Sequence, residues 1–161
     1  MQEIPKKFST HTVGIAAAII EKDGKILLIK ENRPSLPGHA RWHHPAGWIE
    51  KGENIIDSAA REAKEETGYD FKPTFLIGIY SLFRKDFNLH PIKFVFGGTT
   101  PEAPSGKFDP DEILELKFFS PEEIYGMDDN LFFDNDLKQI IHDYFAGKKY
   151  PLEIIHHEIQ K

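Results

Sequence analysis

At 161 residues, with 40% hydrophobic and 29% charged positions, the chain has the size and composition of one globular domain with a real core. A net charge of -6 disfavours a general binder of nucleic-acid backbones, and the absence of cysteine excludes a disulfide framework and any thiolate metal site. The apolar run at 13–20 is too short to span a membrane and the first residues carry no signal peptide, so a cytoplasmic protein is expected. Residues 1–9 read as a polar lead-in and 147–161 as a C-terminal tail of a single domain spanning 1–161. Residues 10–21 read as a buried strand diluted by three alanines, and Lys22-Asp23-Gly24 as a hairpin turn with Gly where positive φ is needed. Lys25–Glu31 is the returning strand, 32–40 a loop with two prolines and a glycine, and 41–44 a short strand leading into Pro45-Ala46-Gly47. A helix is predicted between Asn54 and Gly68. Residues 71–85 form a long strand region, 91–97 another strand, and 99–110 a proline-rich loop. Ile113–Phe119 is a strand, 121–125 a short helix, and 134–145 an amphipathic helix using Leu137, Ile140, Ile141 and Phe145.

The stretch 47–69, GWIEKGENIIDSAAREAKEETGY, organises the rest. Asn54 is placed to cap the helix and Gly68 to stop it, and Ile55, Ile56, Ala59, Ala60 and Ala63 form one apolar stripe. Glu62, Glu65 and Glu66 fall at i, i+3 and i+4, so they share an arc of about 100° at the border of that stripe. Like charges so placed repel, and those near the core lose hydration. Three carboxylates on one arc are stabilised when they share a hard divalent cation such as Mg²⁺ or Mn²⁺. Without further pattern, a solvated acidic face would be the simpler reading.

The wider spacing supplies that pattern. Gly47, Glu53, Arg61, Glu62, Glu65, Glu66 and Gly68 are seven identities at fixed offsets that resemble the signature of the Nudix hydrolases. Ala63 and Tyr69 depart from the aliphatic residues usual there. The resemblance implies an α/β fold, a Nudix-type α/β/α sandwich with a mixed central sheet. Pro45-Ala46-Gly47 lies where family members have a Pro-Gly-Gly type loop, so the metal-binding carbonyl would fall to Ala46. The implied metal set is Ala46, Glu62, Glu65 and Glu66, holding Mg²⁺ with Mn²⁺ as a substitute. The implied catalytic set is Glu62, Glu65, Glu112, Arg61 and Glu53. Glu112 stands for the family's acidic residue outside the signature, with Asp111 and Asp109 as alternatives, and an acidic turn is an equally good reading of all three. Either Glu62 or Glu112 would take the proton of the attacking water. Arg61 is adjacent to Glu62 but about 100° round the helix, and its expected role is to pair with Glu53 and orient the site.

Phosphate contacts could come from Arg33, Arg84, Lys30, Lys85, His43 or His44, of which Arg33 and Arg84 are preferred. Trp42 and Trp48, with Tyr80 and Phe83, could stack on a heterocycle, although core packing is the common fate of any one aromatic. The histidines show no zinc spacing. The tail and the Trp42–Gly47 run also resemble the bacterial NudJ-type broad-specificity phosphatases. The expected activity is Mg-dependent hydrolysis of a phosphoanhydride in nucleoside di- or triphosphates or small heterocyclic pyrophosphates. The alternatives are a dinucleoside polyphosphate or nucleotide-sugar pyrophosphatase, and a non-catalytic nucleotide-sensing module. All four signature glutamates are present, which favours the enzyme. The expected partner is a small-molecule phosphate substrate, with no nucleic-acid polymer and no membrane, on a monomer or homodimer.

Overall fold

The computed structural model describes residues 11–35, 38–85 and 88–160. Two sheets carry the fold. The first is mixed, with β5 (Ala46–Trp48), β1 (His11–Ile19), β7 (Leu89–Thr99) and β6 (Lys72–Ser81) in that order. Strands β1 and β7 run parallel from His11↔Leu89 to Ile19↔Gly97, and the outer pairs are antiparallel. The second sheet is antiparallel: β3 (Lys25–Glu31) lies between β8 (Ile113–Phe119) on one side and β2 (Glu21–Lys22) and β4 (Trp42–His43) on the other. The tight turn into β3 uses Asp23 and Gly24, at φ 51° and 75°, as a turn between right-twisted strands requires.

Strand alternation sends side chains to two cores. Ala16, Ala18, Ile20, Leu27, Leu76 and Phe96 pack under α1 (Ile55–Thr67) with Ala59 and Ala63. Ala17, Ile19, Ile26, Leu28, Ile77 and Val95 pack under α3 (Leu137–Phe145) with Leu137, Ile140 and Ile141. A short helix α2 (Pro121–Gly126), capped by Ser120 and Glu123, adds Ile124 to that second core. Helices therefore cover both faces of the mixed sheet, as expected of an α/β/α sandwich. The alanines of β1 and α1 meet small residue on small residue, which lets the helix lie close to the sheet. Tyr69 is buried in the same core, edge-on to Phe118 at 6.4 Å.

Some boundaries differ from the sequence reading. Strand β6 stops at Ser81, and its register shifts after Pro73 and Leu76 account for the mixed apolar phases. The last helix begins at Leu137 rather than 134: Asp134 is held by Lys93 and Arg84, and Asp136 stands at the N-cap with its side chain bonded to Lys93. Among the described residues no helix is long and apolar enough to cross a membrane.

Candidate active site

Helix α1 brings the acidic residues in at fixed phase. Asn54 caps it by accepting the N–H of Ile56 at 2.9 Å, and Gly68 ends it in the left-handed conformation at φ 76°. Strand β5 pairs with β1 and lays the 45–48 loop against the helix. The N–H of Ala46 donates to Glu66 at 2.8 Å, and a Cβ at Gly47 would collide with the Glu62 carboxylate, so any side chain there would push that carboxylate aside.

Arg61 ties these parts together. Its Nε and Nη2 donate to the two oxygens of Glu53 at 2.7 and 3.0 Å. Its Nη1 reaches Glu62 at 2.7 Å and Glu65 at 3.1 Å, and Nη2 also donates to the carbonyl of Trp48 at 3.1 Å. The Glu53 carboxyl is drawn down to about 2, chiefly by its hydrogen bond from Arg61. The arginine is held still more firmly protonated, first by Glu53 and then by Glu62. Glu53 in turn accepts the N–H of Glu50 at 3.0 Å, closing the 49–53 turn.

Burial pushes the Glu62 carboxyl up despite Arg61, and pushes Glu66 well above its ordinary value, with repulsion from Glu62 and Glu31 added. Glu66 is almost fully buried and pairs with no cation among the described residues. Nor have three acidic or histidine side chains there been drawn into ligating geometry, because Glu62 and Glu65 turn onto Arg61. The donor set nevertheless fits a hard cation. A buried carboxylate beside a second one, offset only by the Ala46 N–H and the smaller influence of Arg33, is costly unless a closer positive charge reaches it, and oxygen ligands are what Mg²⁺ and Mn²⁺ take.

These residues form one wall of a cleft of about 370 Å³. Ala46, Gly47, Arg61, Glu62, Glu65 and Glu66 line it together with Arg33, Arg84, Trp48 and Glu112. Of the three acidic candidates ahead of β8, Glu112 is the one at the cleft. Asp109 instead caps the turn, accepting the N–H of Asp111 at 2.8 Å. Arg33 pairs with Glu31 at 2.5 Å, and Glu31 also bonds His43 at 2.7 Å. Burial raises the Glu31 carboxyl, but His43 and Arg33 outweigh it and hold it below its ordinary value.

Trp48 is 59% exposed and stands at the cleft rim, whereas Trp42 does not. Trp42 is buried in the α3-side core, edge-on to Phe119 at 4.9 Å, with the ammonium of Lys30 over its ring. The expected stacking role of Trp42 is therefore corrected: it and His43 are neighbours on a strand, and it is His43 that faces the cleft. Tyr80 donates to Asp143 at 2.9 Å in a separate groove, and Phe83 packs edge-on to His90; neither lines the cleft. Lys30 and Lys85 are also outside it.

The cleft is also lined by Lys93, Phe133, Asp134 and Asp136, which the sequence reading did not single out as site residues, beside Arg84 and His44, which it did. Lys93, 2% exposed, bonds Asp134 at 2.5 Å and Asp136 at 2.8 Å, and Arg84 bonds Asp134 at 2.5 Å. Burial raises the Asp134 carboxyl, but Lys93 and Arg84 prevail and hold it below its usual range. The Arg84 guanidinium lies 4.7 Å from the Phe133 ring, and the Phe133 N–H donates to the Trp42 carbonyl at 2.9 Å, fixing that segment beside β4. His44 is buried there, and burial followed by the charge of Lys93 pushes it down to about 3, so it is neutral. A lysine on the same strand phase as Val95, within PIKFVFG, was the available signal.

The NUDIX domain family matches residues 10–144. The chain is 36% identical over 143 residues to an ADP-ribose pyrophosphatase of Methanocaldococcus jannaschii, covering 86% of this chain and 76% of that one. It is 31% identical over 149 residues to phosphatase NudJ of Escherichia coli, covering 92% of each. A solved NUDIX hydrolase of Nitrosomonas europaea superposes with a TM-score of 0.82 at 34% identity, over 92% of this chain and 98% of that one. With the signature glutamates, Arg61 and Gly47 gathered at one cleft of an α/β/α sandwich, the chain belongs to the Nudix family and is a Nudix hydrolase.

Proposed function

We propose that the chain is a Mg²⁺-dependent pyrophosphohydrolase acting on nucleoside di- or triphosphates or a small heterocyclic pyrophosphate, with Mn²⁺ as a substitute ion. The observation that carries this reading is the buried Glu66 carboxylate beside Glu62, with no cation paired to it among the described residues, at one end of a single-substrate cleft. In this reading Glu62, Glu65, Glu66 and the Ala46 carbonyl hold the ion, and Arg61 with Glu53 fixes the helix against the 48–53 turn. The bound ion supplies charge neutralisation and Lewis acidity at the diphosphate. Arg33 meets phosphate at the open edge. Glu112 takes the proton of the attacking water: its side chain is exposed at the cleft and engages no described residue, whereas Glu62 is held by Arg61. Trp48 offers its face at the rim to a flat ring. We read residues 1–161 as one Nudix domain, cytoplasmic, monomeric or homodimeric, with no nucleic-acid polymer or membrane as partner.

The cleft volume lies at the low end of the range for small-molecule sites, which suits one nucleotide rather than two. The competing reading, a nucleotide-sugar substrate, draws on the archaeal relative's name. A panel assayed with Mg²⁺, reading phosphate and pyrophosphate separately, decides between them. The expected outcome is the highest kcat/KM on a mononucleotide or a heterocyclic pyrophosphate. A higher value on ADP-ribose or diadenosine tetraphosphate would overturn the choice.

A further inference from the structure

Where α1 ends, a second hollow of about 680 Å³ opens, and among the described residues it shares no lining side chain with the cleft. Strands β3 and β8 give it Leu27, Leu116 and Phe118, the segment after α1 gives Tyr69, and the 104–110 segment gives Phe108 and Pro110. The space is held open by a fastened loop. The Gly68 carbonyl accepts the N–H groups of Ser105 and Gly106 at 3.0 and 3.1 Å. The Lys22 ammonium pairs with Glu102 at 3.4 Å, and Asn32 Nδ2 donates to the Pro110 carbonyl at 3.0 Å. Leu116, Phe118 and Phe108 stay half-buried beside a volume that the fastened loop does not fill. Apolar surface kept in water is unfavourable in proportion to its area, so an apolar occupant would be stabilised there.

The lining defines the chemistry of that occupant. Among the described residues no Asp or Glu lines the hollow, although the chain carries a net charge of -6. The Thr67 hydroxyl is engaged by the Ala63 carbonyl. Alternation turns Lys117 to the other face of β8, where its ammonium lies over the Phe119 ring at 4.8 Å. Two side-chain donors remain, the Lys107 ammonium and the Tyr69 hydroxyl, and no described residue accepts a hydrogen bond from either. An apolar interior with two donors and no acid suits a hydrocarbon body with an acceptor-only anionic head, not a sugar or a cation. We infer that this hollow is a binding site for a small free amphipathic carboxylate, its chain against Leu116, Phe118 and Phe108 and its head at Lys107 and Tyr69. The volume falls well within the range of small-molecule sites.

The probe is decanoate, titrated calorimetrically into the metal-free chain, with decyltrimethylammonium as the matched cation and acetate as the head alone. One equivalent of decanoate should bind with a Kd at or below about 1 mM, and both controls at least about tenfold more weakly. Leu116→Trp, at a half-buried position, fills the hollow. Lys107→Glu, at an exposed one, reverses the charge at the head. Each should weaken decanoate by at least about tenfold in a protein shown by circular dichroism to be folded. Excess pyrophosphate, directed to the signature cleft, should leave decanoate affinity unchanged. Equal binding of the cation, displacement by pyrophosphate, or an affinity that either folded variant keeps overturns the inference. So does a wild-type dimer that Leu116→Trp abolishes, which would make a second copy the occupant. The proposed activity is untouched by any of these results, because the titration reads no turnover.

Discussion

Glu66→Gln lowers kcat by about two to three orders of magnitude while the metal-free protein stays folded and gains stability at high pH. Glutamine keeps an oxygen for the Ala46 N–H, so the 2.8 Å bond between loop and helix survives. What is lost is the charge, in the most buried of the signature carboxylates. The sign of the stability change follows from the raised carboxyl. A group that binds its proton more tightly folded than unfolded favours the folded state below the ordinary carboxylate pKa, and loses that advantage as pH rises toward its folded value. Once pH passes that folded value, the wild type without metal holds a desolvated charge next to Glu62 and Glu31. The metal-free Tm of the wild type should therefore fall relative to the variant's as pH rises above the ordinary carboxylate range. Saturating Mg²⁺ should reverse the order, raising the wild-type Tm and leaving the variant's nearly unmoved. Wild-type turnover in the variant would contradict the role assigned to Glu66.

Arg61→Ala is expected to cost about 2 kcal/mol at pH 7 and at least about a hundredfold in kcat/KM. The arginine is 26% exposed, so the figure is set below that for breaking a fully buried pair. Its fork is the tie between α1 and the 48–53 turn, through Glu53 and the Trp48 carbonyl, and it holds Glu62 and Glu65 apart from each other's charge. Arg61→Lys restores a charge without the planar fork, so it should recover part of the stability and little of the turnover. The Glu53 carboxyl, drawn down to about 2, gives the pH signature. A lowered carboxyl contributes stability above its unfolded pKa and loses it as pH falls toward the folded value. The Tm gap between wild type and Arg61→Ala should thus close from about pH 5 downward. A gap constant with pH would mean that Arg61 stabilises by packing alone.

Helix α1 was legible from the chain because everything that sets it is local: the Asn54 cap, the Gly68 stop and an apolar stripe at helical spacing. Strands β3 and β8 were legible with their bounds for a similar reason, since turn residues flank them. Strand β5 was not, because three residues containing a glycine show no periodicity and pair only by tertiary placement on β1. Trp42 was misplaced by its nearness to the signature, although the alternation of β4 already sends it and His43 to opposite sides. The Lys93–Asp134–Asp136–Arg84 cluster assembles residues up to 52 positions apart, from β7, the 82–85 turn and the lead into α3. No spacing rule reaches that far. The helix was expected to start at Asp134, whose side chain is instead drawn to Lys93 and Arg84 three residues ahead of the helix.

In the proposed mechanism the signature carboxylates hold a divalent cation for attack on a phosphoanhydride. The measurement that tests it most directly is hydrolysis of the best substrate of the panel after exhaustive chelation, followed by ion add-back and repeated with Glu66→Gln. The predicted result is no turnover with EDTA, recovery of the wild type with Mg²⁺ or Mn²⁺, and no comparable recovery of the variant. Full activity of the chelated wild-type enzyme would contradict it.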